Sequence, residues 1–391
     1  MLDQQERGSR NRHHSYGRRW RSAVIRSIAA LVVLFGITTT LGAMESRSAA
    51  TTATTKPLKI RVEMPPNGIV TETGSAALFP LFNLWSAGFN AKYPKVAIET
   101  ARTDSGTGIS SALSGAVDIG ASDISLSTAQ LVTTPAALNI PLVISAQFVA
   151  YDLPGITTHL TLSGSVLSEI YQGKITNWRD PAVVALNSGV TLPNLPIVAL
   201  HRFDDSIDTL LWTTYLSDTD PSGWGRSVGY NSAISWPMTP GALGETGSSN
   251  IVTACKATPG CIAYVDIAYL TQALQAGLMY AALLNARGKA ELPTPAAISA
   301  EAAGFKRPLA NGTQSLIYTD AVGGYPIVHY EYAMVNSNQS NSMNAKAIRS
   351  VLEWAVNPNA GNSASYLDQI HAVSLPPGVG RESYRQILKI H

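Results

Sequence analysis

The sequence lacks several features that would place it in other classes of protein. Its 391 residues include only two cysteines, 14% charged residues and 45% hydrophobic residues. The cysteine count excludes a small disulfide-stapled domain, and the composition excludes both a disordered charged chain and a polytopic membrane protein. A chain of this length exceeds what one hydrophobic core usually serves, so we expect two lobes.

The small net charge of +2 hides an asymmetry along the chain. Residues 1–44 hold seven of the 28 basic residues but only two of the 26 acidic residues. The rest of the chain is therefore mildly acidic, with 21 basic against 24 acidic residues. Such a body lacks the basic surface that nucleic-acid binding needs, and we expect no nucleic-acid partner.

The N-terminus is typical of an export signal. Seven arginines ending at Arg26 precede an uncharged, mostly apolar run from Ser27 to Met44, and a Ser, Ala and Thr-rich stretch over 45–60 is typical of a flexible tether. The length of the apolar run fits both cleavage near Ala43 and retention as one membrane anchor. No cysteine follows this run, which excludes a lipoprotein anchor. We therefore expect an extracytoplasmic protein that meets the membrane, if at all, through residues 1–44.

Export favours a disulfide between the two cysteines. Cys255 and Cys261 flank the turn sequence Lys-Ala-Thr-Pro-Gly, which predicts that two extended segments meet there. A metal site is not expected, because no His or Cys cluster accompanies the pair. The spacing also differs from the Cys-x-x-Cys of a redox pair.

From residue 60 onward the hydrophobic pattern alternates between strand and helix. The pattern predicts strands at Lys59–Glu63, Val96–Thr100 and Val117–Gly120, and helices at Pro80–Tyr93 and Ile109–Ser114. This alternation predicts an α/β fold with a parallel-type sheet. Ligands of such sheets lie beyond the carboxyl ends of the strands, where loops lead into helix N-termini.

Two Gly and Ser-rich loops stand at such positions. Residues 73–77 (Thr-Gly-Ser-Ala-Ala) precede a helix that Pro80 can start, and residues 104–108 (Asp-Ser-Gly-Thr-Gly) precede the next helix. Glycine allows close backbone approach, and hydroxyl and backbone N–H groups can donate hydrogen bonds to an anion. Taken alone, a Gly and Ser-rich loop of this kind is more often a plain helix cap.

Together with segments downstream, these loops resemble the phosphate-binding proteins of bacterial ABC importers, the PstS type. The resemblance spans roughly residues 65–391. Its blocks are Thr73-Gly-Ser-Ala-Ala-Leu-Phe-Pro-Leu-Phe82, Ser105-Gly-Thr-Gly108, Val117-Asp-Ile-Gly-Ala-Ser-Asp123, Leu167–Pro181, His201-Arg-Phe-Asp-Asp-Ser206, Thr258–Val265 and Tyr325-Pro-Ile327. The resemblance implies a two-lobed, type II-like periplasmic-binding-protein fold, in which each lobe is a mixed sheet flanked by helices and a cleft between the lobes closes on ligand.

The resemblance also implies roles for individual residues. A phosphate site needs neutral donors, a cation and an acceptor for the phosphate proton, which sulfate lacks. The acceptor matches Asp123, and the cation matches Arg202, which Asp204 supports. The remaining donors match Ser105, Ser206 and the backbone N–H groups of Ala76 and Ala77.

The sequence departs from the family pattern around the cation. Asp205, Ile207 and Asp208 replace two glycines and a threonine, and Ala76 stands where the family usually has threonine. Asp208 is expected either to face the site or to turn outward and stabilise a helix N-terminus. A carboxylate about 4 Å from the anion costs about 4 kcal/mol at an effective dielectric of 20. Tight phosphate binding therefore depends on where Asp208 points.

Three functions compete on these residues. The first is a receptor that captures phosphate or a related oxyanion for the membrane subunits of an ABC importer. The second is the same fold with a changed ligand, or a sensor or scaffold without a tight ligand. The third is an exported hydrolase using the acidic segment 204–208, which the lack of Gly-x-Ser-x-Gly and His-Glu-x-x-His motifs disfavours. We expect no enzyme activity, no cofactor and a monomer.

The resemblance further predicts the lobe boundaries. Lobe 1 combines residues 61–147 and 329–391, and lobe 2 spans residues 148–328. The chain then crosses between the lobes near 142–150 and near 325–332, both of which are extended segments flanked by proline.

Overall fold

The computed structural model describes residues 59–304 and 315–391. The predicted leader and almost all of the predicted tether lie outside these ranges. The strands are β1 (Gly68–Gly74), β2 (Val96–Arg102), β3 (Ile119–Ser122), β4 (Ala137–Tyr151), β5 (Thr161–Leu162), β6 (Val198–Arg202), β7 (Leu243–Glu245), β8 (Cys261–Asp266), β9 (Met279–Tyr280), β10 (Ala282–Leu284), β11 (Ala290–Glu291), β12 (Leu316–Ile317) and β13 (Ile327–Asn336).

The helices lie mostly between these strands. They are α1 (Phe79–Lys92), α2 (Ser105–Ser114), α3 (Thr128–Thr133), α4 (Gly164–Tyr171), α5 (Pro181–Leu186), α6 (Ile207–Thr219), α7 (Trp224–Ser227), α8 (Ser248–Lys256), α9 (Leu270–Gln275), α10 (Pro295–Ala303), α11 (Ser342–Ala355), α12 (Ala364–Leu367) and α13 (Pro377–Ile387). None of the helices in the described ranges is long and apolar enough to cross a membrane.

The strands form one large mixed sheet and one small sheet. The order in the large sheet is β2-β1-β3-β13-β4-β8-β6-β7, with β12 beside β13 and β9 beside β4. Strand β1 runs parallel to β2 and β3, and β6 runs parallel to β7 and β8. Strands β13 and β4 are antiparallel to each other and to their outer neighbours. The small sheet has the order β11-β10-β5.

Strand β4 connects the two parallel parts of the large sheet. All 15 of its residues are buried. Residues 137–146 pair with β13, whereas residues 147–151 pair with β8. A register shift lies opposite Glu331 and Tyr332, which pair with Val143 and Pro141. Proline lacks the N–H that a regular ladder uses, so it fits such an irregularity. The lobe boundaries at 147/148 and 328/329 stay a prediction.

Two clusters of buried hydrophobic side chains form the core. The first surrounds β1–β3 and includes Val70, Leu81, Phe82, Trp85, Ile348 and Trp354. The second surrounds β8 and β6 and includes Phe148, Trp178, Trp212, Tyr215 and Tyr264. Residues of β4 belong to both clusters, with Leu142 in the first and Phe148 in the second.

The predicted elements near the N-terminus are mostly confirmed. The predicted helix at Pro80–Tyr93 is α1, and the predicted strand at Val96–Thr100 lies within β2. The strand predicted at Val117–Gly120 is β3, which begins two residues later. The helix predicted at Ile109–Ser114 begins earlier, at Ser105, because the Asp104 side chain accepts a hydrogen bond from the Thr107 N–H at 2.8 Å and caps it.

The strand predicted at Lys59–Glu63 is wrong. This segment forms no strand, and the first strand of the described chain starts at Gly68. Ile60 and Val62 pack against the first cluster, while the Glu63 N–H donates to Glu353 at 2.7 Å. Glu63 therefore binds α11, while the apolar side chains of the segment pack against the core without joining a sheet.

The predicted disulfide between Cys255 and Cys261 is present, and both residues are fully buried. Their Cα atoms lie 5.4 Å apart. The expectation that the turn joins two extended segments is wrong, because Cys255 lies in the last turn of α8 and Cys261 begins β8. The bond therefore links a helix end to the strand that follows it.

Candidate anion-binding site

The sequence-predicted site residues lie on the wall of one cavity of about 840 Å³. The cavity opens where β1, β3 and β6 end and where α2, α6 and α8 begin. Its wall includes all eight predicted residues, namely Ala76, Ala77, Ser105, Asp123, Arg202, Asp204, Ser206 and Asp208. Their roles in binding stay a prediction.

The first loop follows β1 and is shaped by its own serine. The Ser75 hydroxyl accepts hydrogen bonds from the N–H groups of Ala77 and Leu78, both at 3.1 Å. The Ala77 N–H, expected to be an anion donor, is thus engaged within its loop. Gly74 has a φ of +142°, and a Cβ there would lie 2.1 Å from the Ala121 oxygen. Only glycine therefore allows β1 to approach β3 so closely at this turn.

Ser105 joins the second loop to the end of β3. Its side chain is buried, and its Oγ accepts a hydrogen bond from the Asp123 N–H at 3.2 Å. This contact fixes the spacing between the N-terminus of α2 and the carboxylate predicted to accept the phosphate proton.

Asp123 reaches from the cavity into the protein interior. The residue is half-buried, and its Oδ1 is buried. Burial is the main cause that raises the pKa of the Asp123 carboxyl, and the nearby charge of Asp208 raises it further. A hydrogen bond with Glu331 and weaker ones with Ser75 and Ser105 lower the pKa, but they do not outweigh burial. One oxygen atom of Asp123, Oδ1, is thus buried away from solvent.

Arg202 ends β6 and is held by two carboxylates. Its Nε donates to Asp204 Oδ1 at 2.7 Å, its Nη2 pairs with Asp204 Oδ2, and its Nη1 donates to Asp208 Oδ2 at 2.6 Å. Burial disfavours the charge on Arg202, but the bond to Asp204 and the charges of both carboxylates outweigh burial and raise its pKa. Although its own burial opposes the shift, Asp204 has a lowered pKa because Arg202 binds it. The cation is therefore permanently charged and firmly positioned.

Asp208 lines the cavity, and its carboxylate is already bound by side chains of the protein. It is only 8% exposed, so it does not turn outward. Its Oδ2 accepts from Arg202 and from the Ser248 hydroxyl at 2.8 Å, and its Oδ1 accepts from Gln147 at 3.0 Å. Ser206 caps α6 instead, because its Oγ accepts the Asp208 N–H at 3.2 Å. Asp208 thus borders the cavity, and its carboxylate forms an ion pair with Arg202.

Comparison with known proteins identifies the family. A family model described as "PBP superfamily domain" matches residues 45–359. A phosphate-binding protein PstS of Xylella fastidiosa (strain 9a5c) is 30% identical over 318 residues, which cover 80% of this chain and 83% of that protein. A phosphate-binding protein PstS of Methanocaldococcus jannaschii is 32% identical over 316 residues, covering 75% and 80%. The chain belongs to the PstS family.

Solved structures confirm the fold expected for a PstS-family member. A phosphate-binding protein from Stenotrophomonas maltophilia matches with a TM-score of 0.60 at 19% identity, over 81% of this chain and 93% of that one. A putative phosphate ABC transporter substrate-binding protein from Clostridium perfringens, solved with bound phosphate, matches with a TM-score of 0.55 at 17% identity, over 79% and 100%. The predicted two-lobed periplasmic-binding-protein fold is therefore confirmed.

Several further residues of this PstS-family protein lie at the site and were not expected from the sequence. Ser248 begins α8 and hydrogen-bonds both Arg202 and Asp208, while Arg102 lines the cavity from the end of β2. The sequence Thr246-Gly247-Ser248 is another Gly and Ser turn before a helix, so the signal used for the first two loops could have found it. Gln147 and Glu331 lie on strands without any such signal.

Two buried acidic residues and a buried histidine lie near Asp123. They are Asp266 at the end of β8 with His329 and Glu331 on β13, and their ligand atoms lie within 4.8 Å of one another, close enough for one metal ion. His329 Nε2 lies 3.1 Å from Glu331 Oε1, a hydrogen-bond distance, and 3.8 Å from Asp266 Oδ2. Burial raises the pKa of both carboxyls well above the usual range and lowers the pKa of His329 to about 4.

Proposed function

We propose that the protein is an extracytoplasmic receptor that binds phosphate and delivers it to the membrane subunits of an ABC importer. The observation that carries this proposal is the convergence of Ser105, Asp123, Arg202 and Ser206 on one cavity in a chain of the PstS family. The relatives named above are phosphate-binding proteins. We assign the chain no catalytic activity and no cofactor, as expected for a substrate-binding protein.

The site can bind phosphate without full access to its cation. A guanidinium has five N–H donors, and three of those on Arg202 are used by Asp204 and Asp208. The two that remain can donate to a phosphate oxygen. One of them already donates to the Ser248 hydroxyl at 3.3 Å, so the phosphate would compete with Ser248 for it. Hydroxyl groups of Ser105 and Ser206 supply neutral donors at the cavity wall. The oxygen atom of Asp123 that is not buried accepts the phosphate proton and rejects sulfate, which has none.

A second function is favoured by the charge of the cavity wall. Five aspartates (Asp104, Asp123, Asp204, Asp205 and Asp208) line it against two arginines, Arg102 and Arg202. This excess of acids suits an oxyanion that also carries a positively charged or hydrogen-bond-donating group, such as an amino-phosphonate. The family's fold would then serve a changed ligand.

Calorimetry separates the two functions. Phosphate, sulfate and 2-aminoethylphosphonate are titrated into the wild-type protein and into Arg202→Lys, with Arg102→Lys as the matched control at the cavity rim. A phosphate receptor binds phosphate most tightly, loses affinity in Arg202→Lys because lysine cannot keep the bidentate contact, and changes little in Arg102→Lys. Stronger binding of the aminophosphonate supports the changed ligand. No heat with any of the three ligands contradicts both.

We further propose that the leader is removed near Ala43 and that the mature protein acts as a monomer. The length and flanks of the apolar run from Ser27 to Met44 support cleavage. Intact-mass spectrometry of the exported protein gives the new N-terminus, and light scattering gives the monomer. A retained leader would instead make residues 1–44 a membrane anchor.

The proposed lobes, 61–147 with 329–391 and 148–328, are supported by the pairing of β4 with β13 on one side and with β8 on the other. Strands β4 and β13 then cross between them near the cavity. Phosphate should close the cleft and reduce the radius of gyration measured by small-angle X-ray scattering. An unchanged radius at saturating phosphate would contradict the hinge.

A further inference from the structure

We propose that Arg102 binds the anion together with Arg202 and supplies the positive charge that Arg202 alone cannot offer. This inference rests on the proposed phosphate-binding function and names a second cation, for which the family resemblance implied no role. Two observations carry it: Arg202 is already paired with carboxylates, and Arg102 lies next to the same loop without such a partner.

The first step is the charge around Arg202. This residue is only 8% exposed and forms salt bridges with both Asp204 and Asp208. One cation against two carboxylates leaves the three side chains with a net charge of −1. The group as a whole therefore repels an approaching phosphate, even where an N–H of Arg202 is free to donate. A further cation at the cavity offsets this repulsion.

The second step is the position of Arg102. It is the last residue of β2, where it pairs with Gly74 of β1, and its exposed side chain lines the cavity. A Cβ added to Gly247 would lie 3.5 Å from Arg102 Nη2, so the guanidinium lies beside the loop that leads into α8. Ser248, the next residue of the chain, accepts a hydrogen bond from Arg202 Nη1 at 3.3 Å. The two guanidinium groups therefore lie next to neighbouring residues of one loop.

The third step is that no ion pair holds Arg102. The salt bridges in the described part of the chain leave it without a carboxylate partner. Asp104, two residues further on, is engaged by α2 instead, because its carboxylate accepts from the Thr107 N–H at 2.8 Å and from the Thr107 hydroxyl at 2.7 Å. Arg102 can therefore donate to a phosphate oxygen without first breaking an ion pair, which Arg202 cannot do with most of its donors.

Arg102 also differs from Arg202 in its place in the chain. It belongs to the proposed lobe 1, over 61–147, whereas Arg202 and Gly247 belong to the proposed lobe 2, over 148–328. A phosphate that contacts both guanidinium groups would join the two lobes. The same contact would then favour closure of the cleft.

Titration calorimetry of three variants with phosphate tests the role of Arg102. Arg102→Ala removes the charge, so phosphate affinity should fall about tenfold or more, as expected for the loss of a charged hydrogen bond. Arg102→Lys keeps the charge on an exposed side chain and should stay within about threefold of the wild type. Arg226→Ala is the matched control, because it removes the same charge from another exposed arginine outside the cavity wall, and it should change affinity less than about twofold.

Salt dependence and a liganded crystal structure give readouts that a merely structural role would not move. Sodium chloride screens exposed charges, so raising it from about 20 mM to about 500 mM should weaken phosphate binding more in the wild type than in Arg102→Ala. A crystal structure of the wild type with phosphate should place a nitrogen of Arg102 about 2.7–3.2 Å from a phosphate oxygen. Phosphate bound in the cavity without contact to Arg102 overturns the inference.

Failure of the proposed function and failure of the role of Arg102 give different results. A wild type that binds no phosphate overturns the proposed function and the inference with it. A wild type that binds phosphate, with an Arg102→Ala variant that binds it equally tightly, overturns the inference alone. Equal losses of affinity in Arg102→Ala and Arg226→Ala also overturn the inference, because the effect would then come from the net charge of the protein.

Discussion

Arg202 Nη1 donates to Asp208 Oδ2 at 2.6 Å, so the cation of the cavity is bound on one side by a carboxylate from the first turn of α6. Asp204 binds the guanidinium from a second side. The anion must therefore compete for the charge of Arg202 with two fixed negative groups. If Arg202 binds the phosphate as proposed, these two carboxylates weaken that binding.

Replacing Asp208 should strengthen phosphate binding. Asp208→Thr removes one competing carboxylate and keeps a hydroxyl near Ser248 and Gln147, so we expect affinity to rise by about 10- to 100-fold. This range corresponds to a charged hydrogen bond of about 1.5–3 kcal/mol. Asp205→Thr, in the same loop but exposed and not bonded to Arg202, is the control and should change affinity little. Titration calorimetry measures both, and weaker binding in Asp208→Thr would show that Asp208 supports the ligand.

A buried carboxyl in β1 should make stability depend on pH. Glu72 is 2% exposed, and burial raises its pKa to about 7 although Thr100 donates a hydrogen bond to it. Since the folded state then binds the proton more tightly than the unfolded state, Glu72 destabilises the fold as pH rises from about 4.5 to 7. Glu72→Gln should raise the free energy of unfolding at pH 8 by about 1–3 kcal/mol and change little at pH 4.5.

Chemical denaturation at the two pH values tests this effect of Glu72. Glu99→Gln on the neighbouring strand is the control, because Glu99 is exposed and should give no such difference. Equal stabilisation by Glu72→Gln at both pH values would refute a role for the proton.

The glycine at the end of β1 should be required for folding near the cavity. Gly74→Ala introduces a Cβ 2.1 Å from the Ala121 oxygen at a φ of +142°, so we expect at least about 2 kcal/mol of destabilisation. Gly68→Ala at the other end of the strand is the control, because nothing lies within 4 Å of its added Cβ. Melting temperatures compare the two variants, and equal melting would contradict the close packing of β1 on β3.

The disulfide should stabilise the fold without affecting ligand binding. Cys255→Ala/Cys261→Ala should lower the free energy of unfolding by about 2 kcal/mol, because the bond closes only a short loop. Phosphate affinity should stay unchanged, since neither cysteine lines the cavity. Denaturation with and without reductant, followed by titration, checks both expectations. A loss of affinity would mean that the turn supports the site.

The predicted site residues that line the cavity are those with local signals in the sequence. The loops holding Ser105 and Asp123, and the segment from Arg202 to Ser206, each combine Gly, Ser or Asp with the start of a helix or the end of a strand. The orientation of Asp208 has no local signal, because it depends on Gln147 and Ser248 from distant elements.

Glu331 has no local signal either. It stands in a run of buried residues on β13, where neither period nor composition marks a functional group. Its relation to Asp123 arises only from the antiparallel pairing of β13 with β3, across more than two hundred residues of chain. The strand wrongly predicted at Lys59–Glu63 fails for the same reason, since its partner is a helix near the C-terminus.

Strand β4 couples the unfolding of the two hydrophobic clusters. Leu142 and Phe148, six residues apart on one strand, belong to different clusters, and the strand between them is buried throughout. If one cluster unfolds, β4 loses the strand that pairs with it on that side. Its buried N–H and C=O groups are then left without partners, so neither half should unfold alone. Heat or denaturant should therefore produce a single cooperative transition. Destabilising mutations in one half should also reduce the protection of backbone amides from hydrogen exchange in the other half.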